Sequence, residues 1–295
     1  MILSLRKSIN GLKRDREHGA GWLTQRAMEI LREAASLDQA ATTEKLLASL
    51  AGVTAALLEA RPAMVSIANY ALYYRDELAS AALTSRSPQR LKKAAFSIAD
   101  RLIKLHQKSA ASVARNAARL VAGRSIVMTC SYSAAVCSAL EMARRGGRDF
   151  KVLAVESRHK KVSYGEMTLQ RLQQSGISVR IVPDSQVGWQ AARADLMLCG
   201  ADGVSLHGWM INGTPSLELA QMARRRGRPF YAVCEISKID ARGLTAGLRE
   251  AEAGLDLLPL ELLSGLVTER GILQSAEIYK LTIEDIIGSA SERPR

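Results

Sequence analysis

Apolar residues in the first part of the chain recur every three or four positions, which is the spacing of a helix with one buried face. The longest such pattern covers 88–121 and stops at Gly123, with apolar positions at Leu91, Ala95, Ile98, Leu102 and Leu105. Two shorter segments, 23–31 and 46–58, repeat the spacing. The pattern therefore predicts a small bundle of helices.

From residue 124 onward, short apolar runs alternate with helical patterns. The runs predict strands over 125–129, 151–155, 179–182, 196–199 and 230–233. Helical patterns over 133–145, 166–174 and 216–226 separate most of them, as in βαβ units whose right-handed connections place helices on both faces of a mostly parallel sheet. The sequence therefore predicts an α/β fold, with a helical domain over 1–122 and a Rossmann-like ligand-binding domain over 123–295.

Polar clusters follow the predicted strands. Because parallel strands all end on one side, their carboxyl ends form a common edge, where open α/β sheets bind ligands. The charged groups that converge there are Glu156, Arg158, Asp184, Asp202, Glu235 and Lys238. Each alone could be a salt-bridged loop residue, but together they favour a binding pocket. Asp202 is the strongest candidate, since it follows an apolar strand and two small residues, and a partly desolvated carboxylate can be tuned for proton transfer.

The turn after the first strand is small and rich in hydroxyl groups, and it reads Thr129, Cys130, Ser131, Tyr132 and Ser133. It opens a predicted helix, so free N–H groups and the helix dipole could bind phosphate there, assisted by Arg158 and Lys238. The alternative is that a serine merely caps the helix. Cys130 is likewise either a thiol activated by the helix N-terminus or a packed core residue.

Composition narrows the class of protein. The chain has 295 residues with 47% hydrophobic content, enough for a packed core. Its apolar stretches are too short for a membrane span, and its first residues lack the apolar region of a secretion signal, so we expect a cytoplasmic protein without a membrane partner. The four cysteines show no paired spacing and the four histidines no ligand spacing. The sequence thus predicts no metal and no cofactor.

The net charge of +12 is concentrated in the first part of the chain. Lysine and arginine exceed aspartate and glutamate by nine over 1–123 and by three over 124–295. Charge of this size can attract nucleic acid or phosphorylated ligands. These cations are scattered and have few aromatic neighbours, so the alternatives are a solvated surface and an RNA contact through the helical domain.

The motifs, taken in order, resemble one family. They are Met128-Thr129-Cys130-Ser131-Tyr132-Ser133, Glu156-Ser157-Arg158, Gly200-Ala201-Asp202 with Gly208 and Ile211-Asn212, and Pro229-Phe230-Tyr231 with Glu235 and Lys238. The likeness continues through 255–262 and 267–272, and in the helical part through Arg16-Glu17-His18-Gly19-Ala20. This succession is similar to the translation initiation factor 2B alpha/beta/delta family, which includes ribose-1,5-bisphosphate isomerase and methylthioribose-1-phosphate isomerase.

The resemblance implies a helical domain, a Rossmann-like domain and a homo-oligomer, a dimer or larger. The isomerases of this family convert an aldose 1-phosphate to a ketose phosphate, using a cysteine after the first strand and the aspartate that Asp202 matches. At the cysteine position this chain has Ser131, with Cys130 one residue before it, and Gly213 follows Asn212 where the family usually has lysine. The expected function is binding of a phosphorylated sugar or nucleotide. It would serve either aldose-ketose isomerisation, with Asp202 and Cys130 or Ser131 as the acting groups, or non-catalytic sensing by a regulatory protein.

Overall fold

The structure is a computed structural model that describes residues 3–15, 18–62, 64–85, 87–240, 242–243, 254–282 and 285–286. Arg16 and Glu17, which belong to the motif noted in the helical part, lie outside these ranges. The chain divides into two compact units. One contains the described residues up to Lys108 and those after Thr282, and the other covers Ser109–Thr282.

The first unit is helical, as the apolar spacing predicted. Its helices are α1 (Leu3–Arg14), α2 (Ala20–Leu37), α3 (Thr43–Ala60), α4 (Val65–Thr84) and the first two thirds of α5 (Pro88–Ala118). Large apolar side chains such as Leu31, Leu50, Tyr74 and Leu102 form its core. Helix α4 was not predicted, because its first seven residues are all buried and so display no single apolar face.

Helix α5 belongs to both units. The predicted boundary at residue 123 marks the change from helices to alternating strands and helices, whereas the division into compact units lies between Lys108 and Ser109. The last turns of α5 account for this difference, because Val113, Ala117 and Ala118 pack into the core of the second unit.

The second unit alternates strands and helices. In chain order they are β1 (Ile126–Cys130), α6 (Ala134–Arg145), β2 (Lys151–Val155), β3 (Arg158–His159), β4 (Val162–Ser163), α7 (Tyr164–Gln173), β5 (Ser178–Val182), α8 (Val187–Ala191), β6 (Leu196–Cys199), β7 (Gly203–Ser205), β8 (Trp209–Gly213), α9 (Ser216–Arg226), β9 (Phe230–Val233), β10 (Ile239–Asp240), β11 (Leu255–Pro259), β12 (Gly265–Thr268), β13 (Gly271–Leu273) and α10 (Ser275–Ile278). Short 3₁₀ turns cover Asp184–Gln186, Ile236–Lys238 and Leu260–Leu262.

The main sheet has the strand order β13-β12-β9-β6-β1-β2-β5. Its first six strands in sequence order pair in parallel, and β13 pairs antiparallel with β12. The fold class predicted from the sequence, a helical bundle followed by a mostly parallel sheet with helices, is confirmed. All five predicted strands lie in this sheet, and their carboxyl ends form one edge, here called the rim.

A second sheet, with the order β10-β7-β8-β11, was not predicted. Its strands are short, and four of the five residues of β8 are buried, so they show no alternation of apolar and polar positions. This sheet extends from the rim, because β7 begins directly after Asp202 and β8 ends at Gly213. In its β8–β11 pair, Asn212 lies opposite Asp256.

The described residues contain neither a candidate membrane span nor a candidate metal cluster. None of their helices is both long and apolar enough to cross a membrane. No three of their histidine, cysteine, aspartate or glutamate side chains come together in a way that could hold a metal ion.

Candidate functional site

The turn between β1 and α6 has an unusual backbone at Ser131. Its φ is +59°, a left-handed conformation that few residues other than glycine adopt. The Ser131 N–H donates to the hydroxyl oxygen of Ser157 at 2.7 Å, which joins this turn to the turn after β2. Ser133 caps α6 by accepting a hydrogen bond from the Val136 N–H at 3.3 Å. Both alternatives considered for Ser133, capping and anion binding, use the same helix start.

Two glycines of the rim let these serine side chains approach the backbone. A β-carbon on Gly200, just after β6, would lie 2.8 Å from Ser133 Oγ, and one on Gly213 would lie 2.5 Å from Ser131 Oγ. Real β-carbons essentially never make such short contacts. The two glycines therefore bring the ends of β6 and β8 against the β1–α6 turn.

Asn212 lies beside this contact and is 4% exposed. Its Oδ1 is 3.7 Å from the β-carbon position of Gly200. Its Nδ2 has no hydrogen-bond partner among the described residues. A buried donor without an acceptor costs about 1–3 kcal/mol, so this amide needs a partner from outside the described protein atoms.

Asp202 leads from the rim into β7, and its N–H donates to the Ile211 carbonyl at 2.8 Å. Burial raises the pKa of the Asp202 carboxyl, and the nearby ammonium of Lys238 partly opposes that shift. Lys238 is itself buried, and its Nζ donates to the Ala201 carbonyl at 2.7 Å. A carboxyl with a raised pKa holds its proton closer to neutral pH, as a group that both donates and accepts protons requires.

The turn after β2 is held by Asp184, which follows β5. Its carboxylate accepts from the N–H groups of Ser157, at 2.7 Å, and Arg158, at 3.1 Å. The guanidinium of Arg158 donates to Glu156 Oε1 through Nε at 2.8 Å and through Nη2 at 2.5 Å. Arg158 is therefore at the rim, as the sequence predicted, and Glu156 occupies only the Nε–Nη2 side of its guanidinium.

All four cysteines are buried, including Cys130 and Cys199, which end β1 and β6 at the rim. Burial raises the pKa of the Cys130 thiol, and the charges of Asp256 and Asp184 raise it further. Thr129, the residue before it, is also buried. Tyr132 is half-buried, and its hydroxyl oxygen accepts a hydrogen bond from Arg171 on α7.

Glu235 begins the turn after β9 and is 4% exposed. The same turn is held by Glu269, a residue that the sequence analysis did not single out as a candidate. Its Oε2 accepts from the Ile236 N–H at 2.9 Å, and burial raises the pKa of its carboxyl. Glu269 follows β12 directly, so the rule that polar groups follow strands would have found it had that short strand been recognised.

Asp256 was also missed as a site residue. It accepts hydrogen bonds at 2.9 Å from both the Thr214 hydroxyl and the Leu217 N–H, and so it caps α9. Its position within an apolar run, beside Leu255 and Leu257, was the available signal. The structure thus brings together Ser131, Ser133, Gly200, Asn212 and Gly213, with Asp202 and Lys238 adjoining them through Ile211 and Ala201.

The sequence profile of the initiation factor 2 subunit family, IF-2B, matches residues 16–254. The chain belongs to this family, which confirms the resemblance noted from its motifs.

Individual relatives carry names of two kinds. An eIF-2B subunit 2-like protein of Pyrococcus furiosus is 27% identical and covers 90% of this chain and 95% of its own length. Ribose 1,5-bisphosphate isomerase of Haloferax volcanii is 24% identical, covering 94% and 90%. Methylthioribose-1-phosphate isomerase of Desulforudis audaxviator is 26% identical, covering 81% and 77%.

Solved structures share the fold. The translation initiation factor eIF-2B of Pyrococcus horikoshii OT3 superposes with a TM-score of 0.79 at 22% identity, covering 92% of this chain and 98% of that one. A chain of the tetrameric eIF2B-beta2-delta2 complex from C. thermophilum gives a TM-score of 0.80 at 18% identity, covering 98% and 94%.

Proposed function

We propose that this chain binds a phosphorylated sugar or nucleotide at the rim. The observation that carries the proposal is the buried Asn212 amide, whose Nδ2 lacks a hydrogen-bond partner among the described residues. Sugar hydroxyls and phosphate oxygens are acceptors that such a donor can use. Two relatives support this ligand class, because they are named as isomerases of ribose 1,5-bisphosphate and of methylthioribose 1-phosphate.

The start of α6 is the position best suited to bind the phosphate group of this ligand. The first N–H groups of a helix have no acceptor within the helix, and its dipole favours an anion there. The half-buried hydroxyls of Ser131 and Ser133 flank that turn. On the β9 side, Lys238 uses one N–H for the Ala201 carbonyl, which leaves two donors on its ammonium for a ligand.

Aldose-ketose isomerisation is the first activity that this site could support. The conversion requires a group that moves protons near neutral pH, and the raised pKa of Asp202 suits that role. Asn212 is tied to the same turn through Ile211, the residue before it, whose carbonyl accepts from the Asp202 N–H. On this proposal Asp202 acts as the general acid and base, while Ser131 contacts the ligand.

Ligand sensing without turnover is the second candidate. The observation that favours it is the burial of Cys130, which leaves the hydroxyl of Ser131 at the position of the isomerases' thiol. A hydroxyl has a far higher pKa than a thiol and is a poor proton donor or acceptor at neutral pH. On this proposal the bound ligand changes how the chain contacts another protein.

Assembly and location belong to the same proposal. A neighbour in fold is a tetrameric complex by its description, and we propose that this chain forms a homo-oligomer. Four buried cysteines without disulfides in the described residues suit a reducing compartment such as the cytoplasm.

The deciding experiment incubates the purified protein with ribose 1,5-bisphosphate and, separately, with methylthioribose 1-phosphate. Ketose formation and the shift in melting temperature are followed together, and inorganic phosphate serves as the comparison ligand. Turnover that is lost in Asp202→Asn, with the thermal shift retained, supports the isomerase. A thermal shift without turnover supports the sensor. If neither sugar phosphate shifts the melting temperature more than inorganic phosphate does, the proposed ligand class is wrong.

A further inference from the structure

The edge of the main sheet opposite the rim carries a dense group of cations. There the strands β5, β2, β1, β6 and β9 begin, and the helices α5, α6 and α9 end beside them. These helix ends, the strand starts and the loops between them contribute Arg115, Arg119, Arg124, Arg144, Arg145, Arg148, Lys151, Arg193, Arg224, Arg225, Arg226 and Arg228. We call this surface the arginine edge.

Hydrogen bonds join the segments of the arginine edge directly. The Arg124 N–H donates to the Asp149 carbonyl at 2.5 Å, and the guanidinium of Arg148 donates to the Ala118 carbonyl at the end of α5. The Asp195 N–H, in turn, donates to the first residue of β1 at 2.8 Å. These cations therefore share one surface of the second unit, although they are more than a hundred residues apart in sequence.

Little negative charge offsets them. Between β5 and β9, the described part of this edge carries two carboxylates, and each already lies near an arginine. Asp149 pairs with Arg144 at 2.9 Å, and Asp195 lies 3.7 Å from Arg228. Nine exposed cations of the edge have no ion-pair partner among the described residues: Arg115, Arg119, Arg124, Arg145, Lys151, Arg193, Arg224, Arg225 and Arg226.

Stabilisation of helix ends explains only part of this charge. A cation in the last turn interacts favourably with the helix dipole. Successive residues of a helix, however, project about 100° apart. Arg224, Arg225 and Arg226 at the end of α9 therefore spread positive charge around the helix, and Arg228 extends it beyond the glycine cap.

We propose that the arginine edge binds the phosphate backbone of a nucleic acid. All but one of its cations are arginines, whose planar guanidinium groups match phosphate oxygens in pairs. One large exposed side chain adjoins the edge, since Trp189 on α8 is 64% exposed and the guanidinium of Arg193 lies 5.6 Å from its ring centre. The described loops of the edge present no further apolar anchor of the kind that a membrane-binding surface carries in number. Five strands span about 20 Å, a length of duplex axis over which each nucleic-acid strand carries about six phosphates, at roughly 3.4 Å of axis per phosphate.

The chemistry also predicts what kind of nucleic acid binds. Apart from Trp189, which lies beside Arg193, the described part of the edge presents no exposed aromatic side chain for base stacking, so recognition relies mainly on the backbone and little on the base sequence. We therefore expect a 20-base-pair RNA duplex to bind at least as tightly as a 20-nucleotide single strand, with little dependence on sequence. A DNA duplex tests whether the 2′-hydroxyl contributes.

The test measures fluorescence anisotropy of labelled RNA with the full-length protein across a series of salt concentrations. The main variant is Arg224→Gln/Arg225→Gln/Arg226→Gln. Removing three phosphate contacts should lower the slope of log affinity against log salt by about 2–3, and weaken binding about tenfold or more near 50 mM salt. A second variant, Arg119→Gln/Arg145→Gln, removes two unpaired cations at the other helix ends and should lower the slope by about 1–2.

The matched control is Arg90→Gln/Lys93→Gln/Lys108→Gln, which removes the same charge from exposed positions of the helical unit. It should leave RNA affinity nearly unchanged. Equal losses in the two triple variants would mean that only net charge matters, and would overturn the proposal. Absence of RNA binding at 50 mM salt, or binding to vesicles of anionic lipid without binding to RNA, would overturn it as well. A melting temperature and a sugar-phosphate thermal shift equal to those of the wild type exclude misfolding as the cause.

Discussion

The hydroxyl of Ser131 lies so close to the α-carbon of Gly213 that a β-carbon on residue 213 would come within 2.5 Å of it. This contact joins the turn after β1 to the end of β8, and it leaves no room for a side chain at residue 213. It also ties the left-handed backbone of Ser131 to the neighbouring sheet.

Gly213→Ala should therefore lower the free energy of unfolding by about 1–3 kcal/mol, because it overpacks this contact. Ser131→Gly removes the opposing side chain at a backbone conformation that glycine adopts readily. The double variant Ser131→Gly/Gly213→Ala should consequently regain most of the loss in urea unfolding. Gly123→Ala serves as the control, since nothing lies within 4 Å of its β-carbon position and its change should be small. Additive losses in the double variant would contradict this account of the contact.

Asn212→Leu should separate stability from binding. The substitution keeps a similar shape and removes a buried donor that lacks a partner, so the free energy of unfolding should stay equal or rise, by up to about 1–3 kcal/mol. The thermal shift caused by a sugar phosphate should disappear.

Asn116→Leu is the matched control for that experiment. The Asn116 amide donates to the Thr268 carbonyl at 2.8 Å, so its loss leaves an acceptor unpaired and should cost about 1–2 kcal/mol. Ligand binding should survive. If Asn212→Leu were the more destabilising of the two, its amide would have to be satisfied in the free protein.

Native thiols should resist alkylation. All four cysteines are buried, and burial raises the pKa of the Cys130 thiol. Iodoacetamide at pH 8 should therefore modify none of them in the folded protein and all of them in urea, as counted by intact mass. Ser131→Cys should take up one label quickly, because residue 131 is partly exposed near the start of α6. Rapid labelling of Cys130 in the wild type would show that the β1–α6 turn opens.

The stability of the fold should depend on pH through Glu269. Burial raises the pKa of its carboxyl in the folded state, so the folded protein holds that proton more tightly than the unfolded chain does. Its contribution to stability is then greatest below the unfolded pKa and declines as pH rises through the folded pKa. Glu269→Gln removes the decline, and its oxygen can still accept from the Ile236 N–H.

Urea unfolding from pH 4 to pH 8 measures this effect. The free energy of unfolding of Glu269→Gln, relative to the wild type, should increase with pH. Glu261→Gln, at an exposed position of the same unit, should give a difference that does not change with pH. A constant difference for Glu269→Gln would mean that this carboxyl titrates alike in both states.

The sequence sufficed for five of the seven strands of the main sheet and for part of the rim. Asp202 could be placed because a fully apolar strand precedes it, and strand ends of a parallel sheet share one edge. Glu269 and Asp256 could not be placed, since β11 and β12 are short and lie in a nearly continuous apolar stretch that shows no period. The pairing of Arg158 with Glu156 was equally out of reach, because residue order does not give side-chain direction.

The basic surface illustrates a different limit. Counting charges along the chain pointed to the first 123 residues, where the excess of cations is largest. The structure gathers Arg124, Arg148 and the end of α9 on one edge, because helices that follow parallel strands all end where the strands begin. Charge density is a property of that shared edge, and a sum along the chain does not reveal it.

The hydrogen bond from Lys238 to the Ala201 carbonyl connects the rim to strands that lie farther along the sheet. It links the turn after β6 to the turn after β9, and Glu269 links the latter to β12 through the Ile236 N–H. On the proposed function, a ligand bound beside Asp202 would therefore restrain amides of β9 and β12, which it does not contact. Hydrogen exchange at β9 and β12 would then slow when the rim is occupied. A protein or subunit that contacts these strands would meet a more rigid surface.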